Sequence, residues 1–350
     1  MKITYMFLII VLILQESAST QINKNLLKTK GNKARELSNN SNFESIRIHP
    51  DFSYLKFQSN NDANLLQIEK KIEESLTETI KTLKKLVNVQ PLSYPINKIS
   101  LEDLNQWGFN PNNFNKLLLS NGAGVNSDLV ILLKFIESGL DNLLIDNEMA
   151  SISNKFILDE ITKRPIVGVI YLNPNINLNI QNVDIYLKSI LLHELTHILG
   201  FHYDLFQYFP GGLEKTIKTE KEKRTKKNKA FIITPKVVDF AKKYFNCDAI
   251  DGVELENQHN LTWSHWEARI LLGEYMTSSP YTPEQVISEF TLSLLEDSGW
   301  YKVNYYTGGL MRFGKNKGCE FLNKDCINSN LESNFKYEFC DFSVLSEFEF

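Results

Sequence analysis

Apolar residues recur at steps of three and four through Leu65, Ile68, Ile72, Leu76, Ile80, Leu83 and Val87, which predicts a long amphipathic helix with Asn64 in the capping position. The stripe reads as core packing, not as a zipper for a partner. Just before it, Ile46-Arg47-Ile48-His49 alternates as a strand does, and Pro50 closes it. Two continuous apolar runs, Asp128 to Leu133 and Ile166 to Leu172, read as buried strands, the second ended by Asn173-Pro174. Strands of that kind with helices between them imply a mixed sheet backed by helices. A further helix is predicted from about Val183 through Leu187, Ile190 and Leu191 into His193 and His197, with Gly200 stopping it in the left-handed conformation. Helical character resumes over Ile232 to Phe245, with Thr234-Pro235 at its start. It returns from about Ser288, where Leu292 and Leu295 point inward and Gly299-Trp300 ends the element. Between Glu214 and Lys229, eight basic and three acidic residues with little to bury read as a solvated charged loop.

The ends of the chain add a compartment. Lys2, an apolar run from Tyr5 to Leu14 and the small residues Ser17-Ala18-Ser19 have the layout of a signal peptide over 1–19, too short in its apolar part to span a bilayer comfortably. Residues 20–44, rich in Asn, Lys and Ser, read as a short polar pro-segment or arm. No later segment is long and apolar enough to span a membrane, so a secreted or secretory-pathway protein is expected. The rest, 43% hydrophobic over the whole chain, suffices for one catalytic unit of two lobes, and a net charge of −4 argues against nucleic acid as a partner. All four cysteines, Cys247, Cys319, Cys326 and Cys340, lie in the C-terminal third, where an oxidising compartment favours pairing; three connectivities stay open.

The chemistry is concentrated in His193-Glu194-Leu195-Thr196-His197. Helix positions i and i+4 share a face, so two imidazoles can meet one zinc ion at about 2.0 to 2.1 Å, with the Glu194 carboxylate beside them to hold a water and act as general base. A catalytic zinc needs a third protein ligand and one open position. The compact spacing HExxHxxGxxH would place that ligand at Tyr203, and His202 is one residue early, best read as a side chain packing near the turn. The ligand therefore comes from farther along, with His259 and His265 as candidates and Glu267 as a carboxylate alternative.

Four ordered motifs, HELTHILGFH, FNCDAIDGVELENQ, SHWEARILLGEYMTSS and ISEFTLSLLEDSGWYKVNY, resemble successive signatures of the leishmanolysin family of metzincin zinc metalloproteases, in its ciliate-like form; the likeness covers roughly residues 125 to 325. The resemblance implies an α+β, metzincin-type two-lobed catalytic domain. Its N-terminal subdomain, 45–202, would carry a mixed sheet and end in the zinc helix. Its C-terminal subdomain, 203–350, would hold an insertion, the third ligand, a Met-turn and the cysteines. It also implies that His193, His197 and His265 hold one Zn²⁺ per chain, that Met276 packs beneath the site, and that Cys247 pairs with Cys319. The expected function is a secreted endopeptidase acting on polypeptide substrates, with association at a cell surface or membrane left open and no transmembrane helix in the mature chain. Ile166 to Leu172 is expected to offer the strand edge for an extended substrate. The alternative is a catalytically impaired secreted adhesion or binding protein that keeps the fold. The last residues do not resemble the family's cysteine-rich continuation, so a truncated chain or a divergent tail is expected. No cysteine precedes Cys247, so latency through a pro-segment thiolate is not expected.

Overall fold

The computed structural model describes residues 42–137, 151–221, 228–256, 263–278, 285–305, 310–330 and 332–339. The expected signal peptide, most of the polar arm, His259 and Cys340 lie outside the described residues. Strands β1 (Glu44–Ser45), β2 (Ile48–Asp51), β3 (Val87–Val89), β4 (Leu129–Phe135), β5 (Ser151–Leu158), β6 (Pro165–Leu172), β7 (Ile217–Lys221), β8 (Asn228–Ile232), β9 (Val253–Leu255) and β10 (Tyr301–Val303) form three sheets. Helices α1 (Ser53–Ser59), α2 (Ala63–Leu86), α3 (Leu101–Gln106), α4 (Val183–Leu199), α5 (Tyr203–Phe206), α6 (Leu213–Thr216), α7 (Pro235–Phe245), α8 (Ala268–Leu271), α9 (Glu289–Asp297) and α10 (Gly318–Asn323) complete an α+β architecture. None of the described helices is long and apolar enough to cross a membrane.

The sheet that carries the site has the order β2-β4-β6-β5, with β2, β4 and β6 parallel and β5 antiparallel to β6. Both β4 and β6 are buried along their whole length, as continuous apolar runs require. One expectation fails here. Ile166 to Leu172 is not an edge: β6 is paired on both sides, and β5 stands outside it. Pro50 does not close a strand either but sits within β2, where a missing N–H is tolerated because β2 is the other end of the sheet among the described residues.

Helix α2 buries Ile68, Ile72, Leu76, Ile80 and Leu83, each contributing roughly 1.5 to 3 kcal/mol of apolar burial. Its cap is Asp62 and not Asn64: the Asp62 carboxylate accepts from the backbone N–H groups of Asn64 and Leu65, at 2.9 and 3.0 Å. The charged stretch after Glu214 is not all loop. Its first part forms β7, antiparallel to β8, with Ile217, Ala230 and Ile232 turned into the core and the lysines left outside. Ile232 therefore closes a strand, and the helix begins at Pro235 with Thr234 as its N-cap. The disulfide is Cys247–Cys319, as the resemblance implies, and Cys326 is a free thiol.

Helix α4 lies over β6 and β5. Gly168, in the middle of β6, permits that approach: a Cβ there would fall 2.5, 2.7 and 2.8 Å from side-chain atoms of Ile198, closer than real side chains come. The helix stops at Gly200, but not in the left-handed helical well. Gly200 has φ 157° and ψ −13°, and its N–H bonds back to the carbonyls of Thr196 and His197.

Candidate metal centre

One and a bit turns of α4 separate His193 from His197, so their rings project from the same face of the helix. The structure brings His265 to meet them. The Nε2 atoms of His193 and His197 are 3.0 Å apart, those of His193 and His265 3.0 Å, and those of His197 and His265 3.2 Å. Among the described residues this is the one cluster of histidine, cysteine and carboxylate groups able to hold a metal ion. Glu267 is elsewhere in role, capping α8 through the N–H of Arg269. His202 is likewise outside the triad: it caps α5, accepting at Nδ1 from the Asp204 N–H, and packs edge-on against Phe156, which agrees with its structural reading.

The backbone fixes the tautomers. His193 Nδ1 donates to the Tyr275 carbonyl and His197 Nδ1 to the Phe201 carbonyl, each at 2.8 Å. With their protons committed there, both Nε2 atoms present lone pairs, and two lone pairs 3.0 Å apart repel unless a cation is shared between them. Burial, together with the neighbouring imidazoles, pushes the pKa of His197 well below its ordinary 6.5, and burial with His193 and His202 does the same for His265. These rings are therefore neutral near pH 7, the form that binds metal. A triangle with these edges has a circumradius of roughly 1.8 Å, shorter than a Zn–N bond of about 2.0 to 2.1 Å, so a single zinc ion can be equidistant from all three. The donor set fits the ion.

The segment Glu274 to Thr277 braces His193 directly and His265 through the backbone of its neighbour Trp266. Its Tyr275 carbonyl holds His193, while the Tyr275 hydroxyl lies 3.0 Å from Thr196 Oγ1 on the same helix. The Met276 carbonyl accepts from the Trp266 N–H, and the His265 carbonyl accepts from the Glu256 N–H, both at 2.9 Å, so the backbone on either side of His265 is pinned. Met276 itself is fully buried, as expected of a packing residue. Beneath the turn, the buried Glu274 carboxylate accepts from Ser288 Oγ at 2.8 Å, Thr291 Oγ1 at 2.6 Å and the Met276 N–H at 2.5 Å; burial pushes its pKa up to about 7. Thr291 Oγ1 also accepts from the indole N–H of Trp266, which ties α9 to the residue after His265.

Glu194 lies between the metal face of α4 and strand β5, 5% exposed. Its two carboxylate oxygens accept from Ser151 Oγ at 2.8 Å and Ser153 Oγ at 2.6 Å. Sequence reasoning missed both serines, and it missed β5 itself. The only signal was weak alternation in Ser151-Ile152-Ser153, too short to separate a strand from a loop.

The family model described as Leishmanolysin matches residues 120–345, well over half of the chain. A leishmanolysin-like peptidase of Caenorhabditis elegans is 33% identical over a match covering 47% of this chain and 30% of that protein. A leishmanolysin homolog of Crithidia fasciculata is 30% identical, with 51% of this chain and 26% of that protein covered. A ciliated left-right organizer metallopeptidase of Mus musculus is 30% identical, with 45% and 24% covered. The chain thus spans less than a third of the length of these relatives.

Proposed function

Because the chain belongs to the leishmanolysin family of peptidases, we propose that it is a zinc-dependent endopeptidase in which His193, His197 and His265 hold one Zn²⁺ and Glu194 is the general base. The observation that carries this reading is the convergence of three imidazole nitrogens within 3.0 to 3.2 Å of one another, with a buried carboxylate on the adjoining helix position. Zinc, when bound, is a Lewis acid that makes hydroxide available near neutral pH and polarises a peptide carbonyl. Glu194 removes the proton of the attacking water at a carboxylate oxygen and returns it to the leaving amine. The Tyr275 and Phe201 carbonyls keep the His193 and His197 rings aimed throughout.

The substrate platform is β5, the outer strand of its sheet among the described residues, where an extended polypeptide can pair as an added strand. Residues 45–202 and 203–350 correspond to the two lobes of a metzincin-type domain, the first ending at the zinc helix and the second supplying His265 and the Met-turn. The reading includes passage through the secretory pathway, directed by residues 1–19, with 20–44 as an arm. A non-catalytic adhesion protein finds no support in the site, since all three histidines and Glu194 are in place.

The test is direct. Purified protein binds one zinc per chain and cleaves unfolded polypeptides, and Glu194→Ala keeps the zinc while cleavage falls by at least about 100-fold. Full activity in that variant, or a wild type without zinc, sinks the proposal.

A further inference from the structure

Glu194 has three rotatable side-chain bonds and projects from a helix whose neighbouring positions are given to histidines. Nothing in α4 fixes where its carboxylate points. The orientation is supplied from outside, by β5. Ser151 and Ser153 are two apart in a strand and so face the same side, toward α4. Their hydroxyls reach different oxygens of the one carboxylate, Oε1 at 2.8 Å and Oε2 at 2.6 Å, and Ser153 Oγ also lies 3.0 Å from the Glu194 carbonyl. Both contacts are buried.

The strand is shaped for this. Ser151 pairs with Leu172 and Ile152 with Tyr171, but the next matched pair is Lys155 with Val169, so residues 153 and 154 together stand opposite Ile170. That is a β-bulge, a device that re-aims a side chain beside a functional site. Here the bulge begins at Ser153, the residue with the shorter contact to the carboxylate and a second approach to the Glu194 backbone.

We infer that Ser151 and Ser153 are positioning residues that hold the Glu194 carboxylate in one orientation from the edge strand. This rests on the reading of Glu194 as general base. A carboxylate offers about four acceptor positions, so two hydroxyl donors orient it and still leave room for a proton from water. Because the donors sit on β5, a polypeptide pairing along that strand steadies the same residues that steady the base. Substrate docking and base alignment then share one element.

The experiment compares wild type with Ser151→Ala, Ser153→Ala, the double alanine variant and Ser153→Thr, measuring kcat and KM on a quenched fluorescent peptide alongside zinc content. In the double alanine variant kcat falls roughly 10- to 100-fold with KM within about twofold and one zinc retained, the signature of a misaligned group rather than a lost substrate contact. Ser153→Thr keeps the hydroxyl and stays within about threefold of wild type. A second readout needs no activity. In zinc-free protein, Ser153→Ala and Glu194→Ala are non-additive by roughly tenfold in the unfolding equilibrium constant, because each removes the same hydrogen bond. Should the double alanine variant fail to fold, the single variants and this coupling decide the matter.

Unchanged or raised kcat in zinc-loaded alanine variants overturns the inference, as does additivity in the zinc-free cycle. A wild type that binds zinc and cleaves while the serines prove dispensable leaves the peptidase reading standing and removes only this one. An inactive wild type removes both.

Discussion

Glu274→Gln is the substitution whose outcome follows most closely from the structure. The Glu274 carboxylate is fully buried beneath the turn at Tyr275 and Met276, and burial raises its pKa from the ordinary 4.5 to about 7 in the folded chain. Below about pH 4.5 it is protonated in both folded and unfolded states and carries no penalty. As pH rises toward about 7, the unfolded chain releases the proton while the folded chain keeps it, so stability is lost across that window. The loss amounts to about 3 kcal/mol, from roughly 2.5 pH units at 1.36 kcal/mol each. Gln cannot ionise and escapes it. The variant has its own cost, independent of pH: the Met276 N–H faces an amide NH2 in place of a carboxyl oxygen and loses its acceptor, worth roughly 1 to 3 kcal/mol, while Thr291 and Ser288 can still donate to the amide oxygen. Guanidinium unfolding of chelator-treated protein, run from about pH 4.5 to about pH 8, should therefore show Glu274→Gln clearly less stable at the acid end, with the gap narrowing by about 3 kcal/mol at the alkaline end. Titration of the histidines is common to both proteins and cancels in the difference. Parallel curves would refute the argument that burial dominates at this residue.

Gly168→Val inserts a side chain where Ile198 already lies within 2.8 Å, so α4 must lift off β6; zinc content and thermal midpoint should fall together, with a cost of about 1 to 3 kcal/mol or more. Retention of both would mean that the helix does not need that close approach. Replacing Cys247 and Cys319 together by serine opens a crosslink that spans 72 residues of sequence, which chain entropy values at about 4 kcal/mol; denaturant unfolding under oxidising conditions checks it, and an unchanged midpoint would contradict it.

The helix with the two histidines was legible at the level of its start, its apolar face and its terminal glycine, because a 3.6-residue period and a breaker act locally. The same holds for α2, where only the cap moved, from Asn64 to Asp62, since either side chain can accept from the first turn. His265 was reached through resemblance; spacing alone left His259 in contention, because a ligand from a distant segment is selected by tertiary contacts. Those contacts are the Met276 carbonyl on Trp266 and the Glu256 N–H on His265, neither of which leaves a trace in a single sequence. The edge strand β5 was invisible for a different reason. Its serines are small and polar and break the apolar pattern that marks a strand, yet they lie buried against Glu194. The charged stretch after Glu214 misled in the opposite sense, since lysines on the outer face of β7 masked the inward Ile217.

The central claim is that three histidines, one of them 68 residues beyond His197, hold a single metal ion. Zinc measured by mass spectrometry on the folded, dialysed protein tests it most directly. The account predicts one zinc per chain in the wild type and in His259→Ala, and none in His265→Ala. Zinc retained at one per chain in His265→Ala would contradict it.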